Sequence, residues 1–356
     1  LLEGAEDPLA ILTGFQNAEL LRIGTRDLVE GAKILETFRS LSHLGEALLR
    51  CVIDVCWKKV SERFGEPCNE EGETIRFTVL ALGKCGGEEL NYYSDLDVVF
   101  AYEEEGLTSE GYFASDFFTR LVQAISHMMN DSNQYGRLFE VDVRLRPQGS
   151  KGPLACSLDY LKSYYSDEGE ALLWERQAMT KLRFVAGSTE LGVRIIDELQ
   201  GWVYSFGLSG DELVEILDMR KRLEESVPSR NFKRGRGGIV DIEFLIQVFR
   251  LRHGVGLPSL RSPNELQTLR AIEQEELLDS ETCRQVGEHY TFLRKLEKRL
   301  RMVTNRATDD LPEDEGELDE LAYSMGFGRH EGNLLVEKCR QVREDCRKLF
   351  EKCVSV

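Results

Sequence analysis

Asp95 and Asp97 stand one residue apart at the end of the stretch GKCGGEELNYYSDLD, residues 83–97. Two carboxylates at this spacing share one face if they enter a strand, because strand side chains alternate with period two. The run that follows, LDVVFAYE from Leu96 to Glu103, is apolar and β-branched and reads as such a strand. Farther on, RLFEVDVRLRP puts Glu140, Asp142, Arg144 and Arg146 on one face of a further expected strand, and Val141, Val143 and Leu145 on the other. If the two strands are neighbours, Asp142 meets Asp95 and Asp97. Three carboxylates on one face repel unless cations lie between them. An all-oxygen set of this kind suits Mg²⁺ or Mn²⁺, and two such ions about 4 Å apart serve in-line nucleotidyl displacement. The bland alternative is a solvated turn with two stray acids. The second acidic stretch with its arginines is what raises the metal reading to equal standing.

The residues around the aspartates extend the same chemistry. Gly83, Gly86 and Gly87 allow a backbone to approach a phosphate, with amides at a following helix start turned towards it. Ser94 offers a hydroxyl, and Lys84, Arg144 and Arg146 offer charge to neutralise a triphosphate. Glu140 reads as edge or support, and Tyr92 and Tyr93 as packing groups with base stacking open. A second candidate is KRGRGGIVDIEF, where Arg234, Arg236 and two glycines open an expected helix. It is either an anion site or a helix start packed on its neighbours, with Asp241 and Glu243 as surface or bridging groups. LWERQAMTKLR reads as structural, with Trp174 in the core and Glu175 paired to an arginine.

These residues need elements to hold them. Leu9, Leu12, Phe15, Leu20, Ile23 and Leu28 recur at helical spacing, and a second helical face runs on to Gly65. After the polar break PCNEEGET, IRFTVLAL reads as a buried strand ahead of LDVVFAYE. Residues 109–131 read as a helix with Ser109 as N-cap. From about residue 157 the pattern is helical nearly to the end, most clearly at 188–205, 210–226, 237–252, 279–304 and 330–353. The acidic run DDLPEDEGELDE, 309–320, reads as a solvated connector.

The bulk properties narrow the function classes. The chain has 356 residues, 42% hydrophobic and 30% charged, enough for two or three cores. Its net charge of −18 argues against wrapping DNA or RNA. No apolar run approaches a membrane span, and the N-terminus LLEGAEDPLAIL has no signal-peptide pattern. It also lacks an initiator Met, so a piece of a longer protein is expected. Nine cysteines without a C-x-x-C pair point to free thiols in a reducing cytoplasm rather than to zinc or disulfides. The five histidines show no H-E-x-x-H spacing.

The glycine pair Gly86-Gly87, the D-x-D of Asp95 and Asp97, and the later Asp142 resemble the nucleotidyltransferase superfamily that includes DNA polymerase β. The longer spelling is more specific. LGKCGGEELNYYSDLDVVFAY, VDVRLRPQGSKGPL, LWERQAM, RGRGGIVDIEFLIQ and FLRKLEKRL, in that order, resemble one catalytic half of glutamine synthetase adenylyltransferase, from about Phe15 to Met325. The resemblance implies an α+β fold: a small mixed-sheet nucleotidyltransferase domain (polymerase β-like) at 71–186, an N-terminal helical segment at 1–70 and a C-terminal helical bundle at 187–356. It implies a cytoplasmic enzyme that moves AMP from ATP to a tyrosine of glutamine synthetase. The alternative half removes AMP by phosphorolysis to ADP, and a docking or regulatory module is a weaker reading. ELLRIGTRDL, SDLD, LWERQA and RGRGGIVDIEFLIQ favour the transferring half; the Asn of ELNYYSD and FLRKLEKRL also occur in the removing one. Asp95, Asp97 and Asp142 would hold Mg²⁺ or Mn²⁺, and Asp142 would take the tyrosine's proton. Gly83, Lys84, Gly86, Gly87 and Ser94 would grip the phosphates, with Arg144 and Arg146 stabilising transition-state charge. Cys85 stands where the family commonly has Leu, a buried-type substitution that leaves the catalytic set intact. Glutamine synthetase is the expected partner, with a PII-type signal protein as a further one; nucleic acid and membrane are not expected.

Overall fold

A computed structural model describes residues 5–354 of the chain. They fall into two compact units, one running to Val203 and the other starting at Tyr204.

The first unit begins with helices α1 (Pro8–Leu28) and α2 (Ile34–Phe64). Asp7 caps α1 by accepting from the Ala10 amide. Gly65 ends α2 with φ at 74°, close to where the helical face was expected to stop. The sheet has five strands: β1 (Phe77–Ala81), β2 (Leu96–Tyr102), β3 (Val141–Asp142), β4 (Ala155–Ser157) and β5 (Arg183–Gly187), in the order β3-β2-β1-β5. β1 runs antiparallel to both β2 and β5. β3 and β4 are both parallel to β2, the first opposite Leu96 and Asp97, the second opposite Phe100 to Tyr102. They are two pieces of one edge, interrupted by the loop 143–154. The sheet is therefore mixed, and the α+β class holds.

α4 (Ala114–Asn130) and α2 pack together over the sheet. Val52 and Leu48 from α2, Val79, Val98 and Phe100 from the sheet, and Phe117, Phe118 and Leu121 from α4 form one core. Phe77 stacks on Phe118 with centroids 5.5 Å apart, and Trp57 meets Phe117 edge-on at 5.3 Å. Burying each such side chain contributes roughly 1.5–3 kcal/mol, which makes β1 and β2 a rigid base for whatever their ends carry.

Several elements depart from the sequence reading. Ser109 is not the N-cap of α4: Gly111, at φ 83°, turns the chain, and the cap position is Phe113, with no side-chain bond. The strand expected to reach Pro147 stops at Asp142. The Arg146 guanidinium gathers the carbonyls of Val143, Ser150 and Gly152, and a strand cannot curl around one side chain in this way. β4 directly precedes the short helix α5 (Leu158–Tyr164), and β5 interrupts the region expected to be helical, between the short helix α6 (Leu173–Met179) and the longer α7 (Thr189–Val203).

The second unit is helical: α8 (Gly210–Glu225), α9 (Ile239–His253), α10 (Glu265–Gln274), α11 (Ser280–Thr304), α12 (Glu315–Met325) and α13 (Gly332–Val354). α9 is buried on nearly every side, as expected of a helix that is apolar all round, and α10, α11 and α13 pack against it. α10 falls within the region read as helical, though not among its clearest stretches. α12 lies partly in the run read as a connector: Asp314 caps it, and Glu315 and Glu317 complement the helix N-terminus. Among the described residues no helix is long and apolar enough to cross a membrane.

Candidate active site

β2 starts at Leu96, so Asp95 sits at its mouth and Asp97 is its second residue. Two backbone bonds hold this entrance. The Leu82 amide donates to the Asp97 carbonyl at 2.9 Å, and the Leu96 amide donates to the Glu140 carbonyl at 2.8 Å. The second bond aligns β3 so that Asp142 stands directly opposite Asp97. Carboxylate oxygens of Asp95, Asp97 and Asp142 all lie within 4.8 Å of one another. Asp95 is exposed and the other two are half-buried, so the cluster opens to solvent on one side. The donor set is oxygen only, of the kind that suits Mg²⁺ or Mn²⁺.

Arg144 caps this cluster. Its Nε donates to both Asp142 oxygens, at 2.9 and 3.0 Å, its Nη2 pairs with the same carboxylate, and its backbone amide donates at 2.8 Å. These hydrogen bonds hold the Asp142 carboxyl below the usual range, against the upward push of burial. Stability from this group is thus present above the ordinary carboxylate range and is lost as pH falls through the lowered value. We expect Arg144→Gln to raise the Asp142 titration midpoint, followed by carboxyl ¹³C NMR; an unmoved midpoint contradicts the assignment. Glu140 points away, 3.5 Å from Arg137. Arg146 is buried inside its loop, where its guanidinium donates to the three carbonyls named above.

The glycine turn precedes the aspartates in the chain. Residues Gly83–Gly86 form a single helical turn, α3, straight after β1. Gly83 has φ at 52°, and a Cβ there would lie 2.3 Å from Asp97 Oδ2, so only glycine admits this approach. Gly86 faces the opposite way: its Cβ would meet the Lys181 carbonyl oxygen at 2.0 Å. The Gly86 and Gly87 amides donate to the Leu82 and Gly83 carbonyls, at 2.7 and 3.3 Å. The glycine pair therefore shapes the turn, and Gly83 and Lys84 form the side next to the carboxylates. Ser94 belongs to a compact turn: its Oγ accepts from the Asn91 amide at 3.0 Å, and Tyr93, at φ 58°, carries the chain out towards Asp95.

Supporting residues came out differently from the sequence reading. Trp174 is half-buried rather than core. Glu175 is 1% exposed, and its bonds go to no arginine: it accepts from the Tyr164 hydroxyl at 2.9 Å and from the Leu172 amide at 2.9 Å. Burial pushes the Tyr164 hydroxyl up to about 12, so it stays a donor. It also accepts from the Gln148 amide at 3.1 Å and so anchors the loop that leaves Asp142. Sequence reading also missed Glu89, Lys181 and Arg183, which brace the glycine turn. The available signal was two cations alternating with apolar residues in KLRF.

The second candidate resolves towards packing. The Gly237 amide donates to Asp241 Oδ2 at 2.9 Å, and the amides of Gly238, Ile239, Val240 and Asp241 donate to backbone carbonyls. Asp241 is fully buried and bridges to Arg220 and, at 3.5 Å, to Arg347. Arg236 pairs with Glu351 at 3.1 Å. The first-turn amides of α9 are already engaged within the unit.

Comparison with known proteins adds a further finding. The family model for glutamate-ammonia ligase adenylyltransferase matches residues 2–197, more than half of the chain. The model for GlnD PII-uridylyltransferase matches residues 214–354. A protein of Hahella chejuensis described as bifunctional glutamine synthetase adenylyltransferase/adenylyl-removing enzyme is 36% identical over 90% of this chain and 34% of its own length. One of the same description from Pseudomonas aeruginosa is 36% identical over 89% of this chain and 33% of its own. The chain spans about a third of the length of these relatives.

Proposed function

The chain belongs to the glutamate-ammonia ligase adenylyltransferase family, and on that premise we propose that it transfers AMP from ATP to a tyrosine of glutamine synthetase. The observation that carries this reading is the meeting of Asp95, Asp97 and Asp142 on one sheet edge beside a glycine turn. Asp95 and Asp97 would hold the divalent cation that accompanies the phosphates, and both with Asp142 would hold a second. Bound there, such ions neutralise the triphosphate and lower the pKa of an incoming hydroxyl. Asp142, kept ionised by Arg144, accepts the tyrosine's proton. Gly83, Lys84 and Ser94 hold the departing phosphates, and Arg144 stabilises charge that develops in the transition state. Gly86 and Gly87 set the turn's shape, and Arg146 sets the loop that presents Arg144. In the removing direction, the same residues would position phosphate against tyrosyl-AMP. The segment 71–186 is the catalytic domain in this reading, the site of action is the cytoplasm, and a PII-type signal protein is a further partner.

Incubation with glutamine synthetase, Mg²⁺ and ATP labelled on the α-phosphate tests direction. Label on the synthetase is the expected result. No label, but ADP released from adenylylated synthetase on adding phosphate, replaces transfer with removal.

A further inference from the structure

The chain between α6 and β5 reaches the glycine turn from behind. Lys181 Nζ lies 3.1 Å from Glu89 Oε2, with side-chain exposures of 5% and 1%, so this ion pair is held out of water. Two residues on, Arg183 sends its guanidinium to two carbonyls of the turn. Its Nε donates to the Gly86 carbonyl at 2.9 Å and its Nη2 to the Cys85 carbonyl at 2.9 Å. The same Nη2 pairs with Glu46 on α2. Each gripped carbonyl shares a rigid peptide plane with the next amide. The Cys85 plane carries the Gly86 amide and the Gly86 plane carries the Gly87 amide, and these two amides close the turn onto the Leu82 and Gly83 carbonyls. Fixing both carbonyls therefore fixes the whole turn, whose opposite end is Gly83 against Asp97. The Lys181 carbonyl fills the space beside Gly86 and blocks the turn from relaxing backwards.

We propose that Arg183 is a positioning residue that sets the glycine turn against Asp97 and thereby sets affinity for the nucleotide, without touching substrate. The proposal rests on the reading that Gly83 and Lys84 contact the nucleotide's phosphates. The task needs a planar fork: two N–H groups in fixed relation reach two successive carbonyls, which a lysine's point charge does not reproduce.

Arg183→Lys in the full chain keeps a cation for Glu46 and loses the fork. Its affinity for ATP with Mg²⁺, measured by calorimetry, is expected to fall about tenfold, with KM for ATP rising in step and kcat changing less than about threefold. Mn²⁺ affinity of the nucleotide-free chain is expected to stay within about twofold, because none of the three aspartates leans on Arg183. Glu46→Gln, which removes the ion pair and keeps both carbonyl bonds, should retain ATP affinity within about threefold. Unchanged ATP affinity in Arg183→Lys overturns the proposal. So does an equal loss in Glu46→Gln, which would assign the effect to the bond with α2. Failure of Arg183→Lys to weaken a wild-type chain that binds ATP overturns this inference alone, whereas a wild-type chain that binds no ATP overturns the functional reading with it.

Discussion

Asp95→Asn combined with Asp97→Asn is expected to lower AMP transfer by about three orders of magnitude or more, because both ions lose their anionic ligands at once. The fold should survive. Asp95 is exposed and Asp97 half-buried, and neither belongs to the core that joins β2 to α4. The two amides replace mutually repelling carboxylates within 4.8 Å of Asp142, so the melting temperature should hold or rise. This pairing of lost turnover with retained stability separates a ligand role from a structural one. Turnover within about tenfold of wild type would place the chemistry elsewhere.

Glu297→Ala is expected to cost about 3–5 kcal/mol of stability, since it removes the carboxylate at the centre of a buried charge network. Glu297 lies in FLRKLEKRL on α11 and is 1% exposed. Its oxygens meet Arg294 at 3.1 Å, Arg301 at 3.2 Å and Lys233 at 3.6 Å. Arg301 and Lys233 also share Asp309, at 3.0 and 3.3 Å, and Asp309 is partly exposed. Arg294 is 1% exposed, so little water reaches it to replace the lost carboxylate. Urea unfolding should show a lower midpoint at unchanged slope. A loss below about 1 kcal/mol would mean that the network rearranges around the gap.

The carboxylate triad was legible in the sequence because period-two alternation fixes the facing of Asp95 with Asp97, and because Asp142 follows an apolar residue on a strand that pairs in register with β2. Arg144 lies beyond the end of that strand and is placed by its own bonds to Asp142, not by alternation. Arg146 was not legible: alternation ends where a guanidinium recruits backbone carbonyls, and pattern carries no trace of that. β5 was hidden because five residues bracketed by helices give periodicity too little length. α12 was hidden by its own acids, which read as solvated charge yet sit at the helix N-terminus where the backbone dipole favours them. Lys181 and Arg183, which brace the glycine turn, lie roughly a hundred residues from it in sequence, and Glu175 found Tyr164 rather than an arginine because tertiary packing, not local spacing, chooses the partner of a buried acid.

On the proposed function, these three aspartates form one two-ion site around a nucleotide. Mn²⁺ titration followed by electron paramagnetic resonance, with a non-hydrolysable ATP analogue present, tests it directly. Wild type is expected to bind about two ions per chain, and Asp142→Asn about one, because Asp95 and Asp97 still hold the ion that accompanies the phosphates. Equal stoichiometry and affinity in wild type and Asp142→Asn would contradict the account.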